Sequence, residues 1–218
     1  MRRIPLFYLT SICAVLLTGV QIFAITDVAY AAYNPLEIIN IKPAGTGSPA
    51  ISPNHRIFRA YPGIEYNIRA AVIGGMYPYR FALSNAPAGM TIDEDSGVIR
   101  WANPQASASS IRLTVTDSEN SSVSTTWSIT VTTSGFIFVD DTYTGTSTGT
   151  ISQPYKSIQD ILNLSSRESD IVYFRSGTYT LPIYQPEYYL NIGCNLAFGG
   201  GKPHIWLGYP GENITINM

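Results

Sequence analysis

Tyr188, Tyr189 and Tyr209 are the residues in this 218-residue chain whose type and setting best suit them to chemistry, because each flanks a Pro or Gly corner that can leave a ring exposed. An exposed aromatic ring offers a large, rigid apolar face with a polar tip, which suits it to stacking on a sugar. Carbohydrate contact is the chemistry these three imply. Tyr173 and Tyr179, by contrast, sit in apolar strand-like runs and are expected inside the core, with Trp206 nearby in sequence. A second chemistry would be calcium binding, since a hard cation of this kind takes about six to eight oxygens. Asp93, Glu94 and Asp95 with Asp117 form one candidate set, and Asp140 with Asp141 the other. Aspartate in such turns also bonds to nearby backbone amides for purely local reasons. No metal site is therefore assigned, and no other cofactor is expected. His55 and His204 lie far apart in the chain, and neither Gly-x-Ser-x-Gly nor His-Glu-x-x-His occurs. No catalytic residue is assigned. A formal net charge of −2 with no basic cluster excludes nucleic acid as the expected partner.

Several elements must hold these residues, and the first is not structural. Met1-Arg2-Arg3 leads into an apolar run from Ile4 to Ile25 that ends at Ala29-Tyr30-Ala31, with small residues at the −3 and −1 positions of a cleavage site. Residues 1–31 read as a secretory signal peptide cleaved after Ala31, so the protein is expected to be secreted or held at the cell surface. The alternative is an uncleaved anchor, since about 20 apolar residues span a bilayer, and membrane contact is expected through this segment alone. Cleavage leaves Cys194 as the single cysteine of the mature chain, so no internal disulfide is available.

Residues 32–60 carry a first strand near Leu36–Ile41 and then a Pro-, Gly- and Ser-rich linker. Residues 61–133 alternate apolar and polar positions with period two, as half-buried strands do. Ile64, Tyr66, Ile68, Ala70 and Val72 form one inward set; Tyr77, Tyr79, Phe81 and Leu83 form the next. Met90 and Ile92 precede an acidic turn at Asp93–Gly97, and Ile99 and Trp101 follow it, a hairpin whose four apolar residues share one face. Ile111, Leu113 and Val115, then Val123, Trp127, Ile129 and Val131, complete a two-sheet sandwich. The stretch Pro87-Ala88-Gly89-Met90-Thr91-Ile92-Asp93, followed by a turn, Gly97-Val98-Ile99-Arg100-Trp101 and Pro104, resembles the signature of the putative-Ig, cadherin-like domains of bacterial surface proteins. That resemblance implies an Ig-like β-sandwich usually repeated beside catalytic or adhesive domains, some of which bind calcium between domains. It implies no reaction.

Composition changes at Thr132–Gly135, which marks the expected boundary with residues 134–218. Phe136–Val139 reads as a strand, Asp140–Ser152 as a Thr- and Gly-rich loop, and Pro154–Leu162 as a short helix that starts near Pro154. Asp170–Arg175, Ser176-Gly177 and Thr178–Leu181 follow as strand, turn and strand. The order of strand, loop, Gln-Pro-Tyr-Lys-Ser-Ile-Gln-Asp-Ile helix, strand and Arg-Ser-Gly-Thr-Tyr resembles the entrance of pectate-lyase-like right-handed parallel β-helices. In that family the helix caps the end of the solenoid and the Gly-Thr-Tyr strand begins the first coil, with active sites on later coils. Strands at 188–192, 195–198, 204–207 and 213–217 are expected to be further coil strands, with Gly199–Gly201 and Tyr209–Gly211 as corners. A solenoid buries its faces only against neighbouring repeats, so a chain stopping inside a strand at Met218 predicts a truncated β-helix with an open end able to self-associate.

The expected fold is thus all-β, an Ig/cadherin-like sandwich followed by the capped first coils of a parallel β-helix. Two functions fit it. One is a secreted or cell-surface, non-catalytic module for adhesion, display or contact with a polysaccharide or cell-surface glycan. The alternative is the N-terminal portion of a polysaccharide lyase or hydrolase whose active site lies beyond residue 218.

Overall fold

Period-two burial governs the first half of the chain, as its alternating sequence requires. A computed structural model describes residues 34–43, 55–164, 171–181, 196–198 and 202–217. The segment 1–31 and residues Tyr188 and Tyr189 lie outside the described residues. The strands of this half are β1 (Glu37–Ile38), β2 (Arg59–Ala60), β3 (Tyr66–Arg69), β4 (Val72–Ile73), β5 (Arg80–Ser84), β6 (Met90–Ile92), β7 (Val98–Trp101), β8 (Ala108–Thr116) and β9 (Ser122–Val131). One sheet runs in the order β2-β9-β8-β5, a second in the order β3-β7-β6, and β1 pairs with β4. All pairings here are antiparallel except β2 with β9.

The two main sheets close over one core. Tyr66 and Met90 both stand opposite Trp101, and Ile68 stands opposite Ile99. From the other sheet, Phe81 faces Val115, Leu83 faces Leu113, and Ile111 faces Trp127. Ile99, Ile111, Leu113 and Val115 are fully buried, so both sheets turn the same alternate positions inward. Tyr77 departs from the expected pattern, with 77% of its surface exposed. The pleat starts only at Arg80, after Pro78, so the period-two count does not extend back to Tyr77.

The hairpin between β6 and β7 is held by its own turn chemistry. Asp93 Oδ1 accepts the amide protons of Asp95 at 3.2 Å and Ser96 at 2.7 Å. Gly97 then takes a φ of +69°, and a Cβ there would stand 2.8 Å from Cε1 of the Phe81 ring. Left-handed backbone costs an L-residue roughly 1–2 kcal/mol, and the buried Phe81 has little room to move. Gly97→Ala is accordingly expected to destabilise the protein by about 1–3 kcal/mol in denaturant unfolding. A loss below about 0.5 kcal/mol, the scale of ordinary surface changes, would contradict this account of the turn.

The second half is built from parallel ladders. Its elements are β10 (Phe136–Val139), α1 (Ile158–Leu162), β11 (Ile171–Phe174), β12 (Gly177–Thr180), β13 (Leu196–Phe198), β14 (Lys202–Gly208) and β15 (Ile214–Asn217). Phe136 is paired with Ile171, and Ile171 with Ile205, so β10, β11 and β14 stack in parallel. A second parallel ladder joins β12 to β15, with Gly177 beside Ile214 and Tyr179 beside Ile216. Strand, corner, strand is therefore repeated in register, first from β11 to β12 and then from β14 to β15. The expected separate coil strand at 195–198 instead folds back: Leu196 pairs antiparallel with His204, and Phe198 with Lys202. Three intervening residues suffice for a hairpin but not for the crossover that parallel pairing needs.

The helix also starts later than expected. Ser157 is its N-cap, accepting the Asp160 amide proton at 3.2 Å, while the Asp160 carboxylate accepts that of Ser157 at 3.0 Å. This reciprocal capping box sets the first turn. The preceding Tyr155 is drawn instead into a parallel bridge with Val139.

Every residue of β10 and of β11 is buried, so these strands are covered on both faces. Ile137, Val139, Val172 and Phe174 point to one side, where they pack with Ile158 and Ile161 of α1 and with Tyr179. Phe136, Phe138, Ile171 and Tyr173 point to the other, where they meet Ile64 and Tyr61 of the sandwich. Tyr173 therefore does not lie among the inner residues, as its strand position suggested. It points outward and is buried because the sandwich covers that face.

Candidate functional site

Where the two regions meet, they leave a cleft of about 380 Å³. Its floor is apolar, formed by Ile64 of the sandwich and by Phe136, Ile171 and Tyr173 of the parallel ladder. Gly208, Pro210 and Gly211, from the corner after β14, supply one rim. The other rim carries Arg56, Arg59, Glu65 and Arg100 from the sandwich.

Aromatic rings are fixed around this floor by one another. Tyr61 meets Phe136 at 5.4 Å and Phe138 at 5.0 Å between centroids, both edge to face. Tyr173 stacks on Phe138 at 5.7 Å, and Tyr209 stands edge-on to Tyr173 at 6.1 Å. Tyr209, expected at an exposed corner, is half-buried, with the Arg175 guanidinium 4.5 Å from its ring centroid. Such a cation over the ring face holds the ring in place. Burial first, and then the neighbouring Tyr209, push the Tyr61 phenol above its usual pKa. Tyr61 and Tyr173 thus line the cleft, while Tyr209 stands edge-on to Tyr173 and is not part of the lining.

The three arginines differ in what already occupies them. Arg100 is committed to Glu65 through two hydrogen bonds, of 3.1 and 2.8 Å. Arg56 donates to the Asn67 carbonyl, a neutral acceptor. Arg59 has no hydrogen bond or ion pair among the described residues. Its guanidinium lies on Gly135, where any Cβ would collide with it, and Gly135 takes a φ of +78° between the sandwich and β10. The junction glycine thereby gives Arg59 its place.

Beneath Tyr209, successive corners are clamped together. Arg175 Nε donates to Glu212 at 2.8 Å, Arg175 Nη2 lies 2.6 Å from the same carboxylate, and the Ser176 amide donates to it at 2.6 Å. The hydrogen bond from Arg175 is the main reason that the Glu212 carboxyl is held below its usual pKa. A carboxyl with a depressed folded pKa adds stability above the unfolded value of about 4.3 and loses it as pH falls through the folded value. Acid from pH 5 to pH 3 should therefore lower the melting temperature, and Glu212→Gln should flatten part of that dependence. An unchanged pH profile in the variant would show that the clamp contributes nothing.

Of the acidic residues considered for calcium, all but Glu94 have their carboxylates engaged elsewhere. Asp117 is buried, and its carboxylate accepts three backbone amide protons, from Met76 at 3.1 Å, Glu119 at 3.0 Å and Ser121 at 2.8 Å. Asp93 caps its own turn, and Asp95 pairs with Arg80. Asp140 accepts from Thr142, and Asp141 from the Thr178 amide at 3.0 Å. Among the described residues, no three His, Cys, Asp or Glu side chains are placed to hold a metal ion. His55 Nδ1 accepts weakly from the Ile57 amide at 3.3 Å, while His204 lies in β14, far along the chain. Burial, with Arg56 adding to it, lowers the His55 pKa.

The cleft residues Arg56, Arg59 and Tyr61 were not singled out by the sequence, since they fall at the edge of the linker and follow no periodic pattern. One signal did point there. The unbroken apolar runs Phe136–Val139 and Ile171–Phe174 imply strands covered on both sides, and hence a partner over the outer face.

Fold and site together define an all-β protein with an Ig-like sandwich and a separate region of mostly parallel strands. Residues 44–132 match the family described as Putative Ig domain, so the sandwich is an Ig-like domain. No curated protein matches the chain. Matching solved structures include a putative alpha-galactosidase and a putative alpha-galactosidase/melibiase, both from Bacteroides fragilis NCTC 9343. Each is 10% identical with a TM-score of 0.34, over 65% of this chain and 30% of the other. The chain thus spans under a third of their length.

Proposed function

We propose that this protein is a secreted or cell-surface, non-catalytic module that contacts polysaccharide, and that the cleft between the sandwich and the parallel strands is where it does so. The observation that carries this reading is that Tyr61 and Tyr173 line the cleft together with Ile64, Phe136 and the arginines Arg56, Arg59 and Arg100. Rings give a sugar its apolar contact, and cations bind its oxygens.

Residues 136–217 are read as the first coils of a right-handed parallel β-helix. In support, two parallel ladders stack in register, and α1 packs its buried Ile158 and Ile161 on the inner face. That same stacking favours the second reading, in which the chain is the leading part of a polysaccharide lyase or hydrolase with its chemistry on further coils. The edge that β15 presents would then receive the next coil, and without one it is a surface for self-association.

Affinity electrophoresis through gels containing a panel of polysaccharides tests the proposal. At least one should retard the chain, Tyr61→Ala should reduce the retardation, and no cleavage products should form. Absence of retardation by every glycan would refute the binding role, and turnover would favour the enzyme reading.

A further inference from the structure

One titratable group beside the cleft has no part in the binding role. His55 is half-buried and opens the turn that leads into the lining residues Arg56, Arg59 and Tyr61. The Phe58 amide donates to the His55 carbonyl at 2.9 Å, which closes the turn, and the Ile57 amide donates to His55 Nδ1 at 3.3 Å. A side-chain acceptor at the first position of such a turn, bonded to the amide two residues on, is the part that Asn or Asp usually plays. Histidine plays it only while neutral, since an imidazolium carries a donor on both nitrogens and would set N–H against N–H. Ile57 and Phe58 are buried in the sandwich core, so the turn is fixed after Arg56 by the core and before it by His55. Arg56 itself donates to the Asn67 carbonyl, which holds its guanidinium at the rim.

We propose that His55 is a proton-operated switch on the cleft rim: the neutral imidazole holds the turn that presents Arg56, and protonation loosens that turn and moves the guanidinium from its place. The switch concerns the rim itself, whatever the cleft binds, and so does not rest on the glycan role. Two effects drive it. The Nδ1 acceptor is lost, and a second cation appears beside Arg56 in a half-buried setting. Burial first, and then the charge of Arg56, already favour the neutral imidazole and lower its pKa. The other groups nearby do not titrate in the same range. Residues 44–54, just before His55, contain no titratable side chain. Tyr66, whose hydroxyl donates to the Ile57 carbonyl at 2.8 Å, and Tyr173, which feels the charge of Arg56, are both pushed up by burial and stay protonated. Glu65 and Glu212 are held below their usual pKa, chiefly by hydrogen bonds from Arg100 and Arg175, and stay ionised above about pH 5. A base with a depressed folded pKa loses its contribution as pH falls below the unfolded value of about 6.5 and on through the folded one. The response therefore belongs between about pH 7 and pH 5.

Nuclear magnetic resonance of the full chain across that pH range tests the switch without any ligand. In the wild type the amide resonances of Ile57 and Phe58 and the Arg56 Nε–H resonance should move together with the His55 imidazole, at one midpoint below about 6.5. Protection of the Ile57 amide against hydrogen exchange, corrected for the intrinsic rate, should fall about 3- to 10-fold on acidification, the scale of one net hydrogen bond. His55→Asn keeps an acceptor for the Ile57 amide but does not titrate, so it should hold the neutral arrangement throughout. His55→Ala removes the acceptor and should show the low protection of the acid form at every pH. His204, the other histidine of the chain, is kept in both variants, so a response that it causes survives them. The wild-type pH response persisting in His55→Asn would overturn the switch, as would an imidazole midpoint at or above the ordinary value. Titration of His55 with the Arg56 Nε–H resonance unmoved would also overturn it, because the rim would then be indifferent to the turn. The wild-type and His55→Asn measurements decide the matter even if His55→Ala does not fold.

Discussion

Replacing Trp101 by alanine is expected to cost about 3–5 kcal/mol of folding free energy, the range for emptying a large buried aromatic site. The ring is 4% exposed and stands opposite Tyr66 on one neighbouring strand and Met90 on the other, so its removal leaves a void between three strands. Its indole Nε1 donates to the Ala88 carbonyl at 3.1 Å, which ties β7 to the loop before β6. Alanine loses both the volume and that bond, and a close-packed interior recovers little by relaxing. Urea unfolding followed by circular dichroism gives the number. A cost under 1 kcal/mol would mean that the hairpin is not part of the core.

Phe138→Ala should have an effect of the same size, about 3–5 kcal/mol, but a different character. Phe138 is 1% exposed and its ring meets Tyr61 edge-on and Tyr173 face-on, so it belongs to the cluster shared by the sandwich and the parallel strands. Emptying that site weakens the coupling between the two as well as the stability of β10. Trp101 and Trp127 report on the sandwich, and Trp206 on the parallel ladder. In the wild type all probes should follow one transition; in the variant the ladder should unfold at lower denaturant than the sandwich. Coincident transitions in the variant would contradict a coupling role for Phe138.

Much of the sandwich was legible because its strands are covered on one face only. Alternation then shows directly in the sequence, as in Ile111, Leu113 and Val115, and a short turn such as Asp93–Gly97 fixes the register locally. The pattern failed at Tyr77, where no strand remained to continue it. In the second half, the order of strands could be read but not which face of each would be inside. Strands β10 and β11 are apolar at every position, so periodicity cannot distinguish the face toward α1 from the face toward the sandwich. That is why Tyr173 was expected inside and lies at the junction. The pairing of β13 with β14 was missed for a related reason, since a three-residue link, not a hydrophobic pattern, decides its direction.

The candidate site was the least legible part. Tyr209 was named from its place beside a Pro-Gly corner; its neighbours Gly208, Pro210 and Gly211 line the cleft, while its own ring is held by Arg175 and Tyr173 outside that lining. Arg59 and Tyr61 could not be named, because what brings them to the site is a contact between segments about 75 residues apart in sequence, set by the positive φ and missing side chain of Gly135. Chemistry made at a junction is invisible to any local pattern.

Hydrogen exchange on the full chain, with and without a saturating amount of a glycan that retards it, tests the central claim most directly, because it locates the contact rather than only detecting it. Binding in the cleft should slow exchange at Arg56–Asn67 and Gly208–Glu212 together and leave the hairpin at Asp93–Gly97 unchanged. Protection confined to one of these two segments, or appearing on the outer face of the sandwich, would contradict a site formed between them.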